Sequence, residues 1–201
     1  SLARVMERQD VGVGELGDPL YGDYLLPGAS LRLGASAPSL SVFIGGIYAL
    51  AFAGAGPVAE AHFSLHLLHD LKAGTTPTFH VHWSHIVGVP AGNVKWQLEL
   101  SLARGYGAGV FQAPITLSTV QEAGAQYSHH ITDDDDMPLT ALAAELEPDS
   151  ILLGRVFRDP LDAADTFTGD AYLLHLDLHY QKGQLGTLER NRPFTSAGFG
   201  A

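Results

Sequence analysis

A two-residue alternation of apolar and polar side chains recurs in four separated segments, and it limits the possible folds more than any other property of the chain. Phe63, Leu65 and Leu67 alternate with His62, Ser64 and His66; Phe79, Val81 and Trp83 alternate with His80, His82 and Ser84. Trp96, Leu98, Leu100 and Leu102 alternate with Gln97, Glu99 and Ser101, and Leu174, Leu176 and Leu178 with His175, Asp177 and His179. Successive side chains on a strand point to opposite faces, so this period is that of a half-buried β-strand. The three consecutive segments between 61 and 102 predict an antiparallel sheet with one dry face.

Further strands are predicted at Ile115–Val120, Gln126–Ile131 and Ile151–Arg158. Two apolar runs, Leu40–Phe43 and Ile47–Phe52, flank Gly45-Gly46 and fit a hairpin or a bulged strand. One short helix is predicted from Leu139 to Leu146, after Asp133–Asp136, with Pro138 at an early position and Pro148 as its stop. With 23 glycines and 11 prolines supplying turns, the reading is an all-β chain, an antiparallel β-sandwich or jelly roll with one short helix. An open sheet carrying one helix is the alternative. The segment 1–36 is rich in Gly, Pro and Asp without a sustained period and reads as an extended N-terminal arm; 37–182 forms the sandwich domain, and 183–201 a Gly-rich C-terminal arm.

Charge and composition narrow the function. A net charge of −11, with no basic run, argues against binding nucleic acid. Only 16% of residues are charged, which suggests a surface partly covered by partner subunits. Zero cysteines exclude disulfides, thiolate nucleophiles and cysteine-based zinc sites. The most apolar stretch, Leu40–Ala55, is too short and too interrupted by glycine to span a membrane. The first residues lack the basic-then-apolar order of a secretory signal, so the expectation is synthesis and retention in a cytoplasm until assembly.

The ten histidines are the one unusual constituent. Most fall in three patterns: His62, His66 and His69; His80, His82 and His85; His175 and His179 around Asp177. An H-x-H on one strand sets two imidazoles on one face roughly 6.5–7 Å apart, within reach of one metal ion. His80, His82, His175 and His179, with Asp177 or Glu99 as carboxylate, would resemble a cupin metal shell. The glutamate that follows H-x-H in cupins is missing, since His82 is followed by Trp83, Ser84, His85, Ile86 and Val87. The preferred reading makes this a sheet face packed against another subunit, with no metal, cofactor or catalytic residue assigned.

Weaker patterns assign nothing. Asp133–Asp136 lacks the spaced ligands of a calcium loop and reads as a solvated cap. Gly12-x-Gly14-x2-Gly17 has no flanking strand and helix to make it a dinucleotide fingerprint. No nucleophile elbow is present, and nothing places Glu99 and Asp177 at a glycosidase separation. Arg155 and Arg158 are expected to pair with carboxylates at an edge or interface.

Several strings resemble a family of virion proteins of tailed bacteriophages. They are Phe79-His80-Val81-His82-Trp83-Ser84-His85, Asn93-Val94-Lys95-Trp96 with Arg104-Gly105-Tyr106, Glu147 through Asp159, and His175-Leu176-Asp177-Leu178-His179-Tyr180. The resemblance covers roughly residues 60–185. It implies a virion component and not an enzyme: a capsid decoration or cement protein that bridges capsomers, or a tail, fibre or neck component involved in host attachment. Its implied partners are the major capsid protein and other copies of itself, as a homotrimer, with no nucleic acid and no membrane. A cupin-like metal-dependent enzyme is the reading from a different class.

Overall fold

The computed structural model describes residues 19–105, 109–133 and 135–183. They form eleven strands: β1 (Leu20–Pro27), β2 (Arg32–Leu33), β3 (Ser39–Ile44), β4 (Ile47–Phe52), β5 (Ala59–His66), β6 (Thr78–Ser84), β7 (Asn93–Ala103), β8 (Ile115–Glu122), β9 (His130–Ile131), β10 (Ile151–Arg158) and β11 (Ala171–Lys182). One sheet runs β3-β4-β11-β6-β9, with β1 also on β11; the other runs β2-β5-β10-β7-β8. Every pairing is antiparallel.

From β4 to β11 the pairing is nested. The first of these strands pairs with the last, β4 with β11; then β5 with β10, β6 with β9 and β7 with β8. A long hairpin folded over on itself in this way is a jelly roll, so the predicted sandwich is present. The alternating strands β5, β6 and β7 are not neighbours, however. β6 lies in one sheet and β5 and β7 in the other, separated by β10. Alternation reports which face of a strand is dry; the crossing loops 67–77 and 85–92 decide which strand lies beside it.

The dry faces meet in one core. β6 contributes Phe79, Val81 and Trp83, β7 contributes Val94, Trp96, Leu98, Leu100 and Leu102, and β11 contributes Leu173, Leu176 and Leu178. Trp96 sits between Phe52 and Trp83 at ring separations of 5.1 and 6.3 Å. Each such side chain taken out of water contributes about 1.5–3 kcal/mol. The buried Trp83 Nε1 donates to Gln121 Oε1 at 2.7 Å. β11 departs from the expected pattern at one point, where a register shift between Leu173 and His175 turns Leu174 out of the core and puts Leu173 in it.

The predicted helix over Leu139–Leu146 is absent; only a 3-10 turn, Thr140–Leu142, forms there. The backbone just before it bonds elsewhere, since Phe79 N–H donates to Met137 O and Leu139 N–H to Pro77 O, while after it only isolated turns form, with Glu145 N–H and Leu146 N–H on Leu142 O. Met137, Leu139, Leu142 and Leu146 enter the core from this loop. Asp136 Oδ2 accepts from the Thr119 hydroxyl at 2.6 Å and from Asp133 N–H at 3.2 Å, which engages the acidic run in local bonds. Of the strand predicted at Gln126–Ile131 only β9 forms.

Of the arm predicted over 1–36, residues 1–18 lie outside the described residues. The described part is built into the sandwich: β1 pairs with β11 along its whole length, from Leu20↔Lys182 to Pro27↔His175, a 3-10 turn follows at Gly28–Ser30, and β2 pairs with β5. Beyond β11 only Gly183 of the predicted arm 183–201 is described, and Gly12, Gly14 and Gly17 also fall outside. Gly45-Gly46 closes the β3–β4 hairpin with Gly45 at φ +58, and the register shifts between Val42 and Ile44, so hairpin and bulge are both present.

Candidate functional site

Strands β11 and β6 turn a polar face outward, and β1 beside them adds Asp23 between the exposed Tyr21 and Leu25, the latter opposite Asp177. Opposite Phe79, Val81 and Trp83 stand His80 and His82; opposite Leu176 and Leu178 stand His175, Asp177 and His179. The register brings His82 beside His175 and His80 beside Asp177 on one side, and Asp23 beside His179 on the other. The four histidines singled out in the sequence therefore share one face, as expected.

Asp177 is the centre of this face. Its Oδ1 lies 3.6 Å from His80 Nδ1 and its Oδ2 3.2 Å from His82 Nε2. Its carboxylate is 10% exposed, and its ionic partners among the described residues are these two imidazoles. Asp177 Oδ1 is buried and accepts no hydrogen bond. The ligand atoms of His80, His82 and Asp177 all lie within 4.8 Å of one another. Around them, His129 Nε2 is 2.9 Å from His82 Nδ1, and His179 Nδ1 is 2.7 Å from Asp23 Oδ1. The His179 ring stacks on Tyr21 at 4.9 Å and on His80 at 5.6 Å. Burial pushes the His175 imidazole below its ordinary pKa, Asp177 opposes that shift and His82 adds to it.

Several expected partners lie elsewhere. Glu99 is on the outward face of the second sheet, where Arg155 Nε donates to its Oε2 at 2.7 Å and Arg155 Nη1 also bonds Glu60. Glu99 and Arg155, with His62, Phe63 and Leu153, line an open depression of about 360 Å³. His85, an odd number of residues from His80, points inward and is buried; its Nδ1 accepts from Val87 N–H at 3.3 Å and its Nε2 lies 2.9 Å from Gly124 O. His66 and His69 form a separate group, each with Nε2 at 3.0 Å from Asp149 Oδ1. Arg158 pairs with Asp165, as expected of an arginine beside acidic residues, but in the core. Sequence reasoning missed Asp23 and His129. Asp23 lies in the segment read as an arm, and His129 precedes a strand of two residues; the one available signal was their chemistry.

A second surface is apolar. From Leu33 to Ala59 the sequence contains no Asp, Glu, Lys, Arg or His, and this stretch holds the β3–β4 hairpin. Leu40, Val42, Ile44, Ile47 and Tyr48 are all exposed, Ile47 to 65%. Leu40 faces Leu50, and Val42 faces Tyr48. Directly opposed residues share a face, as do residues two apart. Because Leu50 is in the core, Leu40, Val42 and Tyr48 continue the dry face past the core's rim. Among the described residues β3 is also a sheet edge, with one row of backbone groups outside any ladder.

No protein-family model matches the chain, so no family match stands behind the resemblance to tailed-phage virion proteins. No curated protein matches it either. Among solved structures, isomalto-dextranase of Arthrobacter globiformis T6 in complex with panose is 15% identical with a TM-score of 0.43, over 78% of this chain and 23% of that one. A chain of infectious bursal disease virus, Gx strain, is 9% identical with a TM-score of 0.37, over 87% of this chain and 37% of that one. The Gt strain gives 16% identity and a TM-score of 0.32, over 88% and 40%. The chain thus spans less than half the length of each of the three, and at this level of likeness none carries an argument about function.

Proposed function

We propose that the chain is a structural subunit of a viral particle, without catalytic activity: a capsid decoration (cement) protein of a tailed bacteriophage that bridges capsomers of the major capsid protein. The observation that supports this reading most directly is the uncharged, exposed β3–β4 hairpin at a sheet edge. A protein of net charge −11 repels its own copies over most of its surface. The hairpin is where two copies meet without apposing like charges, so its occupant in this proposal is a second copy of the chain, within a homotrimer. Covering the remaining exposed part of five large side chains on each of two copies contributes about 1 kcal/mol apiece. That total is comparable with the roughly 4–15 kcal/mol that association costs.

Analytical ultracentrifugation of the native chain is expected to show a trimer, with Val42→Lys and Ile47→Lys giving monomers that still unfold cooperatively and whose melting temperature no longer depends on concentration. A native chain that stays monomeric at all concentrations overturns the role of the hairpin. Labelled protein added to purified particles and imaged by electron microscopy tests the location. Binding to heads supports the decoration role, binding to tails assigns the chain to the tail, fibre or neck, and no binding to either overturns the virion reading.

A further inference from the structure

The outward histidine face is independent of the hairpin and of the proposed role. We propose that His80, His82 and Asp177 form a binding site for a divalent transition-metal ion of the zinc class, on the outer surface of the sandwich.

The donor set is the first argument. Two imidazoles and a carboxylate suit Zn²⁺, Co²⁺, Ni²⁺ or Cu²⁺, whereas Ca²⁺ and Mg²⁺ favour oxygen ligands. Geometry is the second. The three ligand atoms lie within 4.8 Å of one another, and ligands held at about 2.0–2.2 Å around a tetrahedral ion stand roughly 3.3–3.6 Å apart. His80 Nδ1 lies 3.6 Å from Asp177 Oδ1 and His82 Nε2 3.2 Å from Oδ2, so the carboxylate presents one oxygen to each imidazole at about that spacing and can bind an ion between them through either or both. The remaining closure, between the two imidazoles, is of a size that side-chain torsions supply without moving the backbone.

The site is also rigid. β11 is paired on both sides and β6 lies between β11 and β9, so the ligands stand on interior strands whose Cα positions the ladders fix. Surrounding residues orient the rings: His129 Nε2 sits 2.9 Å from His82 Nδ1, the nitrogen turned away from Asp177, while His80 stacks on His179. A partner on the far nitrogen is the usual support of a metal-bound histidine.

Without an ion the face is costly. A carboxylate only 10% exposed carries one buried oxygen with no hydrogen bond and no lysine or arginine partner among the described residues. Buried charge of this kind is normally compensated. A divalent ion compensates it, and three protein ligands leave one position facing solvent for water.

The test uses the full chain, freed of metal by chelator and titrated with ZnCl₂ by calorimetry. About one equivalent per chain is expected, with affinity falling by roughly 10–100-fold or more in His82→Ala and in Asp177→Asn, and unchanged in His66→Ala, which alters the separate Asp149 group. Should a variant misfold, ¹⁵N imidazole spectra of the native chain decide: Zn²⁺ should shift the His80 and His82 resonances ahead of those of His66 and His69. Stoichiometry below about a tenth of an equivalent, or binding that follows His66 and His69 instead, overturns the assignment.

Discussion

Arg158 carries its charge with none of its surface exposed. Its Nε and Nη2 donate to Asp165 Oδ2 and Oδ1, each at 2.8 Å, and its remaining donors reach Phe52 O at 3.0 Å, Gly169 O at 2.8 Å and Phe167 O. Removing Asp165 leaves a buried guanidinium without its counter-charge, so Asp165→Ala should cost about 3–5 kcal/mol in urea unfolding. Arg155 is the contrast. Its bridges to Glu60 and Glu99 are partly solvated, at 31% side-chain exposure, and Glu99→Ala should cost no more than about 1 kcal/mol. His130, stacked on Trp83 at 4.5 Å, is held below its ordinary pKa of 6.5 by burial first and then by His85 and His129. In the unfolded chain it takes up its proton at higher pH than in the folded one, so the folded state binds fewer protons below 6.5. Its contribution to stability is complete above that pH and is lost as pH falls through the folded value. The difference in unfolding free energy between the native chain and His130→Asn should therefore shrink from pH 7.5 to pH 5.

Among the elements, glycines divide by what surrounds them. Gly92 sits at φ +101, and a Cβ there would stand 2.5 Å from the Thr166 carbonyl oxygen. Gly92→Ala should lose more than about 1 kcal/mol, read as a lower urea midpoint. Gly45, at φ +58 with open space around it, should accept asparagine with little change in that midpoint, because asparagine tolerates the left-handed region. Strand by strand, the sequence was legible wherever one strand face is dry: β10 is found at the predicted Ile151–Arg158, and β6 and β11 present the predicted histidines outward. It was illegible where apolar residues serve the core from a loop. The spacing of Leu139, Leu142 and Leu146 imitates a helix, yet strand-like bonds to Pro77 and Phe79 claim the backbone just before them. The candidate site divided the same way. His80, His82 and Asp177 follow from alternation on adjacent strands, whereas Asp23 and His129 arrive through pairings between residues far apart in sequence, and Glu99 was misplaced because alternation carries no information about which sheet a strand joins.

For the whole molecule, the nested pairing means that almost every ladder joins distant parts of the chain, a topology associated with slow folding. It also changes how an arm can be tested. Removing residues 1–30 would delete β1, which covers one side of β11 and packs Tyr24 against Tyr180 at 4.5 Å. Such a chain should lose cooperative unfolding, so a role for the N-terminal segment in particle binding is tested by removing residues 1–18 alone, which keeps β1 and should lower occupancy on heads. The pairing of Leu20 with Lys182 has another consequence. β1 begins where β11 ends, so a linker can join β11 directly to β1 and the chain be reopened at Gly88, between β6 and β7, where a Cβ would meet nothing within 4 Å. The resulting circular permutant would keep every ladder intact while moving an attached label from the Leu20–Lys182 end of the sheet to its opposite end, where Ser84 pairs with Tyr172.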